Sequence, residues 1–385
     1  MINLDVNIIL MRHLFYILSI SIIGTFSCQQ KVAEEEKELT DAEIYQLADS
    51  LAHKFIIVDG HVDIPYRLWN HPEDISVRTE NGHFDYVRAK EGGLDAPIMS
   101  IYIPPAREDN GAKMLADSLI NLVENLAKEH PDKFAIATSP TQIKEQFLKG
   151  LISLPMGMEN GAPIEHKLEN IEYFHDRGIR YITLTHAKAN HISDSSYDSI
   201  RLWNGLSPFG EEVVAEMNRV GIMVDVSHVS DSAFYDVLAV TKVPVIASHS
   251  SCRHFTPGME RNMSDNMIKA LAKNGGVIHI NFGSFFLDPA FAKEERDTTY
   301  FAKASQIADN VDRVVELAGI DYVAFGSDFD GIGDLPEDVK DASQLPNVLY
   351  ELLKRGYSAE DIEKICSKNT FRVWQQVEDY AVAQN

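Results

Sequence analysis

Eight short apolar, β-branched runs separated by longer amphipathic segments restrict the fold of this 385-residue chain more than any other feature. The runs are Phe55–Pro65, Ile98–Pro104, Ile152–Glu159, Tyr181–His186, Ile222–His228, Val243–His249, Gly276–Phe282 and Tyr322–Asp328. Between them, helical patterning covers Ala112–Glu129, Pro208–Val220, Ser230–Thr241, Ser264–Asn274 and Ser305–Ala318. Ser230 and Ser264 suit N-caps, whose side chains accept from the free amides of a first turn. Gly221, Gly275 and Gly319 fall just past helix ends, where a left-handed residue is easiest without a Cβ. Repetition of strand and helix builds a parallel sheet covered by helices. Eight units predict an α/β fold, a closed (β/α)8 barrel of the TIM type, with additional C-terminal helices near Leu345–Arg355 and Ala359–Asp379.

Such barrels carry their chemistry at the C-terminal ends of the strands. Six of the eight predicted strands end in a potential metal ligand or acid–base group: His61 with Asp63, Glu159, His186, His228, His249 and Asp328. One of the chain's 14 histidines would fall at a strand end by chance. Four strands that do so point instead to one shared mouth, because scattered core imidazoles would each need a separate hydrogen-bond partner.

His61 and Asp63 lie two residues apart on a strand, so they share a face and can grip one cation. Glu159 has two oxygens and can bridge two cations. His228 and His249 end consecutive strands, and two imidazoles with a carboxylate make a zinc site with one position open for water. With Glu159 shared, one metal takes His61, Asp63 and Glu159, and the other takes Glu159, His228 and His249. Each residue taken singly has a plainer reading, as a loop carboxylate or a structural histidine. Two metals about 3.5–4 Å apart hold a bridging hydroxide near neutral pH and polarise a carbonyl. Asp328 is the candidate proton carrier, and its neighbour Asp330 reads as structural. His186 is the candidate electrophile for a tetrahedral oxyanion. Arg261, in the loop after the sixth run, reads equally as a fork for a substrate carboxylate or as a solvated or salt-bridged loop residue.

The formal net charge of −23, with no basic cluster, excludes nucleic acid as the partner. Besides Cys28 the chain has only Cys252 and Cys366, too few for a disulfide scaffold and expected as free thiols. An apolar run from Leu14 to Phe26 follows Met11-Arg12 and is too short to span a bilayer comfortably. Residues 1–27 therefore read as a signal peptide, with Met11 as the expected true start, and 28–40 as an acidic linker. Small residues before Cys28 resemble the lipobox of bacterial lipoproteins, which implies lipidation at Cys28 and an anchor outside the cytoplasmic membrane, in the bacterial cell envelope. Plain secretion with cleavage nearby is the alternative. Residues 41–385 are expected to be a single catalytic barrel domain.

The motifs DGHVDIP, GMENG, YITLTH, RLWNGLSPFGEEVVAEMNRVGIMVDVSHVSD, VPVIASHSS, RNMSD, GGVIHINF and AFGSDFDG occur in order between Phe55 and Trp374. Together they resemble the membrane (renal) dipeptidase family, metal-dependent hydrolases of the amidohydrolase-like barrel type. The resemblance implies two Zn2+ per chain, hydrolysis of dipeptides, tolerance in some members of a C-terminal D-residue, and in some the opening of β-lactams. It puts His61, Asp63, Glu159, His228 and His249 on the metal ligands, Asp328 on the catalytic acid, and His186 and Arg261 on the substrate contacts. It also implies that the chain can form a homodimer. Two departures stand out. Asp309-Asn310-Val311-Asp312-Arg313 lacks the histidines of a DHxDH-like stretch, and Ala187-Lys188-Ala189-Asn190-His191 lacks an Asn directly after His186. The first bears on local packing and the second on specificity; His191 reads as solvent-exposed. The alternative function is another binuclear-metal amidohydrolase, such as an N-acyl amino acid deacylase or a lactonase. From a different class, a lipid-anchored binding module on an inactive barrel fits less well, since the whole inferred ligand set is present.

Overall fold

Parallel pairing closes eight strands into a barrel in the computed structural model, which describes residues 39–292 and 299–384. The signal-like segment 1–27, Cys28 and all of the 28–40 linker but its last two residues lie outside the described residues. The strands are β1 (Ile57–Val62), β2 (Leu94–Tyr102), β3 (Phe134–Ile136), β4 (Ile152–Leu154), β5 (Met156–Glu159), β6 (Ile179–Thr183), β7 (Met223–Asp225), β8 (Ile246–Ala247), β9 (Val277–Ile280) and β10 (Val323–Phe325). Around the barrel the order is β1-β10-β9-β8-β7-β6-β5-β2.

All eight predicted strand regions supply a barrel strand; seven of these strands are shorter than their apolar runs, whereas β2 begins at Leu94, before the predicted Ile98, and is longer than its run. The predicted Ile152–Glu159 is two strands. Pro155 has no amide hydrogen to continue a ladder, and the chain switches sheets there: β4 pairs outside the barrel with β3, while β5 joins the barrel between β2 and β6. The side ribbon β3–β4 has no counterpart in the sequence reading.

The predicted helices form close to their expected bounds, at Ala112–Glu129, Pro208–Val220, Asp231–Val240, Asp265–Asn274 and Ala304–Ala318. Ser230 and Ser264 accept from the amides of Ala233 and Met267, and Gly221 and Gly275 close their helices at φ 92° and 87°. The predicted Ala359–Asp379 helix is broken by a π-turn at Lys364–Lys368, after which Asn369–Gln384 runs on.

That last helix closes the bottom of the barrel. Trp374, Val373, Val377 and Phe371 pack with inward-facing residues of the strands, among them Val58, Ile98, Tyr181, Met223, Ile246, Val277 and Ala324. Thr370 Oγ1 meets His279 Nε2 inside the barrel at 2.9 Å, and Arg372 donates to the carbonyls of Gly275 and Gly276 just before β9. Asn310 and Asp312, in the stretch that departs from the family pattern, are spent on packing. Asn310 Oδ1 accepts from the Cys252 amide, and Asp312 pairs with Arg355 and Tyr357. Cys252 and Cys366 are free and buried. Among the described residues no helix is long and apolar enough to cross a membrane.

Candidate active site

Barrel closure gathers the predicted residues at the open mouth. Glu159, the last residue of β5 and 3% exposed, stands at the centre. Its Oε1 lies 3.0 Å from His228 Nε2, 3.3 Å from His249 Nε2 and 3.6 Å from His186 Nε2, while Oε2 lies 3.5 Å from His61 Nε2. His61 Nε2 also lies 3.5 Å from Asp63 Oδ2. Three groups bring ligand atoms within 4.8 Å of one another: His61, Glu159 and His249; Glu159, His186 and His228; and His61, Asp63 and Asp328. Geometry therefore admits His186 to a ligand triad alongside the set expected from sequence.

The side chains do not all sit on strands. His61 is within β1, whereas Asp63 stands just before the helix Ile64–Asn70 without capping it through its side chain, and His186, His228, His249 and Asp328 stand two or three residues beyond their strands. The ends are cross-braced. Asp63 donates its amide to the Phe329 carbonyl, and Asp328 donates to the His61 carbonyl, so the first and last barrel strands share a rim. His228, Asp328 and Asn160 adopt left-handed backbone at φ 68°, 64° and 80°. For His228 that conformation carries real strain, of the kind found where surroundings hold a functional group in place.

Burial and charge divide the protonation states. Burial opposes the charge on Glu159, but His61, His186 and the close contacts with His228 and His249 hold its pKa well below the usual range. Burial also opposes a proton on His61, yet Tyr181, Glu159 and Asp63 together lift its pKa well above 6.5. His228 and His249 go the other way, lowered well below 6.5 by burial and by nearby cationic groups. His228 and His249 are thus neutral imidazoles, the form in which histidine binds a metal. Asp328 is pushed up to about 7, mainly by burial, with Asp63 and Glu159 adding to the effect. Its Oδ2 accepts from Asn281 Nδ2 at 2.8 Å.

Arg261 is 4% exposed, not a solvated loop residue. Its Nη1 donates to Ser250 Oγ (2.6 Å) and its Nη2 to the His249 carbonyl (2.7 Å). Nε is buried with no hydrogen-bond partner among the described residues. It lines a cavity of about 350 Å3 with Tyr66, Tyr102, Glu159, His186, Tyr197, Phe286, Asp328 and Ile332.

The matching family model is Membrane dipeptidase (Peptidase family M19), over residues 45–385. The chain belongs to the membrane dipeptidase family. It is 31% identical to Dipeptidase 3 of Mus musculus over 351 residues, 88% of this chain and 68% of that protein. It is 33% identical to Dipeptidase tcpJ of Claviceps purpurea over 311 residues, 79% of this chain and 71% of that one. Its fold matches the probable dipeptidase PvdM from Pseudomonas aeruginosa with a TM-score of 0.80 at 25% identity, covering 88% of this chain and all of the other. Membership makes the chain a metal-dependent dipeptidase.

Several residues of this candidate site escape a reading of strand ends. Tyr181, inside the barrel, meets His61 Nδ1 through its hydroxyl at 2.7 Å. Asp59 Oδ1 accepts from the amides of His61 and Ser327, bracing β1 against the loop after β10. Asp225 braces the loops bearing His228 and His249 in the same manner. The signal for both aspartates is a carboxylate inside an otherwise apolar run, which must have partners if buried. The loop after His186 is corrected too. His191 is half-buried, with its ring 4.5 Å from that of His166 and 5.6 Å from that of Phe209, and burial lowers its pKa to about 4. The loop turns inward because buried Asp194 accepts from the amides of Leu202, Trp203 and Gly205, and Asn190 donates to Asn160 and Leu184. Asp330 pairs with Arg67 and accepts from the His83 amide, a structural role beside the pocket.

Proposed function

We propose that this dipeptidase works with two zinc ions, one held by His61, Asp63 and Glu159 and the other by Glu159, His228 and His249. The observation that carries the reading is the single buried carboxylate of Glu159 within 3.0–3.6 Å of four imidazole nitrogens. The donor set fits zinc, which takes imidazole nitrogen and carboxylate oxygen and in catalytic sites keeps a position open. His61 Nε2 and Asp63 Oδ1 support it further, being buried polar atoms with no hydrogen-bond partner among the described residues. When bound, the ions supply Lewis acidity toward the scissile carbonyl and a hydroxide at neutral pH.

The remaining work falls to the protein. Asp328 takes the proton of the attacking water and delivers it to the leaving amine, a task suited to a carboxyl group whose pKa lies at about 7. His186, T-shaped against Tyr102 at 4.8 Å, offers a hydrogen bond to the carbonyl oxygen as it gains charge. Arg261 Nε and the unused hydrogens of its fork receive the substrate's C-terminal carboxylate. The cavity is at the small end of ligand pockets, which favours a dipeptide over a longer chain. Substrates with a C-terminal D-residue belong to the proposed range.

The test is a panel of L,L, L,D and D,L dipeptides with their C-terminal amides, assayed on metal-loaded protein. Arg261→Ala should raise KM about tenfold or more for free acids and leave the amides unchanged. Equal losses on both would remove Arg261 from carboxylate recognition. We also propose that residues 1–28 direct the protein to the bacterial cell envelope with a lipid on Cys28. Fatty-acid labelling lost in Cys28→Ser supports this, and labelling retained in the variant rejects it.

A further inference from the structure

We infer that Asp225 is a positioning residue that fixes the tautomer of His249 through Ser248 and thereby sets cation affinity on the His228–His249 side of the site. The affinity half of the inference rests on the binuclear reading above; the tautomer half does not.

Asp225 ends β7 and is fully buried. Its Oδ2 is met by Ser248 Oγ at 2.6 Å and by Thr183 Oγ1, and its Oδ1 by the amides of Ser248 at 2.8 Å and Ser227 at 3.0 Å. All four of these groups can donate, as a carboxylate requires. A serine hydroxyl has one hydrogen and can give it once. Ser248 gives it to Asp225, so toward His249 Nδ1, at 2.7 Å, the same oxygen acts as acceptor. The Nδ1 of His249 therefore carries the hydrogen, and its Nε2 presents a lone pair. That lone pair faces Glu159 Oε1 at 3.3 Å and His228 Nε2 at 2.8 Å. His228 in turn supplies the hydrogen between the two rings, consistent with its Nδ1 being buried and without a partner.

A ligating histidine works best when its second nitrogen is fixed as a donor by an outer partner, and losing that partner costs roughly 10–100-fold in metal affinity. Here the carboxylate reaches the ring through a hydroxyl rather than directly. The same aspartate pins the backbone on both sides, at Ser227 before His228 and at Ser248 before His249, so one group serves both imidazoles.

In Asp225→Asn the two backbone amides still need an acceptor, which turns the new amide NH2 toward the Thr183 and Ser248 hydroxyls. Ser248 then accepts from the amide, and its own hydrogen swings to His249 Nδ1, leaving the ring proton on Nε2. Two-bond 1H–15N correlation on metal-free, 15N-histidine-labelled full-length protein reads this directly. The parent should be protonated on Nδ1 of His249 and Asp225→Asn on Nε2. Zinc competition against a chromophoric chelator should show a loss of about 10–100-fold in Asp225→Asn. A merely structural role would not move the ring proton. An unchanged tautomer, or a shifted tautomer with zinc affinity within twofold of the parent, overturns the inference. Should Asp225→Asn fail to fold, Ser248→Ala decides by the same readings: it should release the Nδ1 preference and weaken zinc, and retaining both refutes the relay. A parent protein that takes up one zinc per chain overturns the binuclear reading, while the tautomer measurement stands by itself.

Discussion

Gly331 tests whether the two aspartates of the site need their present positions. It lies exposed on the pocket rim, just after Asp328 and Asp330, and its φ is not left-handed, so alanine suits its backbone. A Cβ there would stand 2.2 Å from Asp63 Oδ2 and 2.3 Å from Asp328 Oδ1. Ordinary contact begins near 3.4 Å, so one or both carboxylates must retreat by about 1 Å. Misplacement of reacting groups on that scale costs about 100-fold in rate, or about 2.7 kcal/mol of transition-state stabilisation. Gly331→Ala should therefore lower kcat/KM on a dipeptide about 100-fold while Tm moves little. Gly333→Ala is the control, since nothing lies within 4 Å of a Cβ at that position, and it should stay within about twofold of the parent. Metal content measured on the same samples separates a displaced Asp63, which would lower it, from a displaced Asp328, which would not. A Gly331→Ala enzyme that keeps more than a third of its activity at full metal content would refute the argument that both carboxylates are placed to a fraction of an ångström.

Three further outcomes follow from the same geometry. Gly157 leaves room for the Tyr181 ring, which would sit 2.1 Å from a Cβ there; Gly157→Ala should destabilise by about 1–3 kcal/mol by overpacking and also weaken metal binding, because Tyr181 holds His61. A thermal melt paired with metal titration checks both effects. Asp95 is buried, among the described residues only the Ile57 amide donates to it, and burial pushes its pKa up to about 7. Its stabilising contribution is complete below about pH 4 and is lost as pH rises through about 7. Asp95→Asn should flatten that slope and raise stability above pH 7 by at most about 4 kcal/mol, as read by denaturant midpoints across pH. A chelator should abolish dipeptide hydrolysis, and metal restored at 1,000 times its Kd should return about 4 kcal/mol of stability; full activity after exhaustive chelation would contradict metal dependence.

The parts of the site visible in sequence are those where a polar residue interrupts a strand pattern at its end. His228 and His249 each follow an apolar β-branched run, and the barrel rule then brings them together without further information. Tyr181 and Asp225 were hidden because each lies within such a run, where an aromatic or a lone polar residue reads as core. Their partners are also remote, His61 standing 120 positions from Tyr181 and Ser248 standing 23 from Asp225. Nor does alternation along a strand describe the side chains that matter most. His186, His228, His249 and Asp328 are on loops past the strands, so their direction depends on backbone turns that two-residue periodicity does not encode. The division of Ile152–Glu159 was legible in principle, since Pro155 breaks the ladder, but only closure of the barrel decides which half belongs inside.

Closure also explains how a strained rim can hold a fixed geometry. His228 and Asp328 occupy left-handed backbone that a free loop would relax, at a gain on the order of 1–3 kcal/mol each. Neither can relax alone. The His228 carbonyl accepts from the Ser196 amide, while Asp328 donates its amide to the His61 carbonyl and receives Gly331 on its own carbonyl. Moving Asp328 would therefore pull on β1, and moving β1 would carry His61 and Asp63 with it. At the far end of the barrel Val58 of β1 and Ala324 of β10 pack in one buried cluster with Trp374 and its helix, contacts that a sliding strand would have to give up. The same pairing that closes the sheet thus ties the backbone of Asp63 to that of Asp328, so neither loop can shift by itself to make room for a methyl group at Gly331.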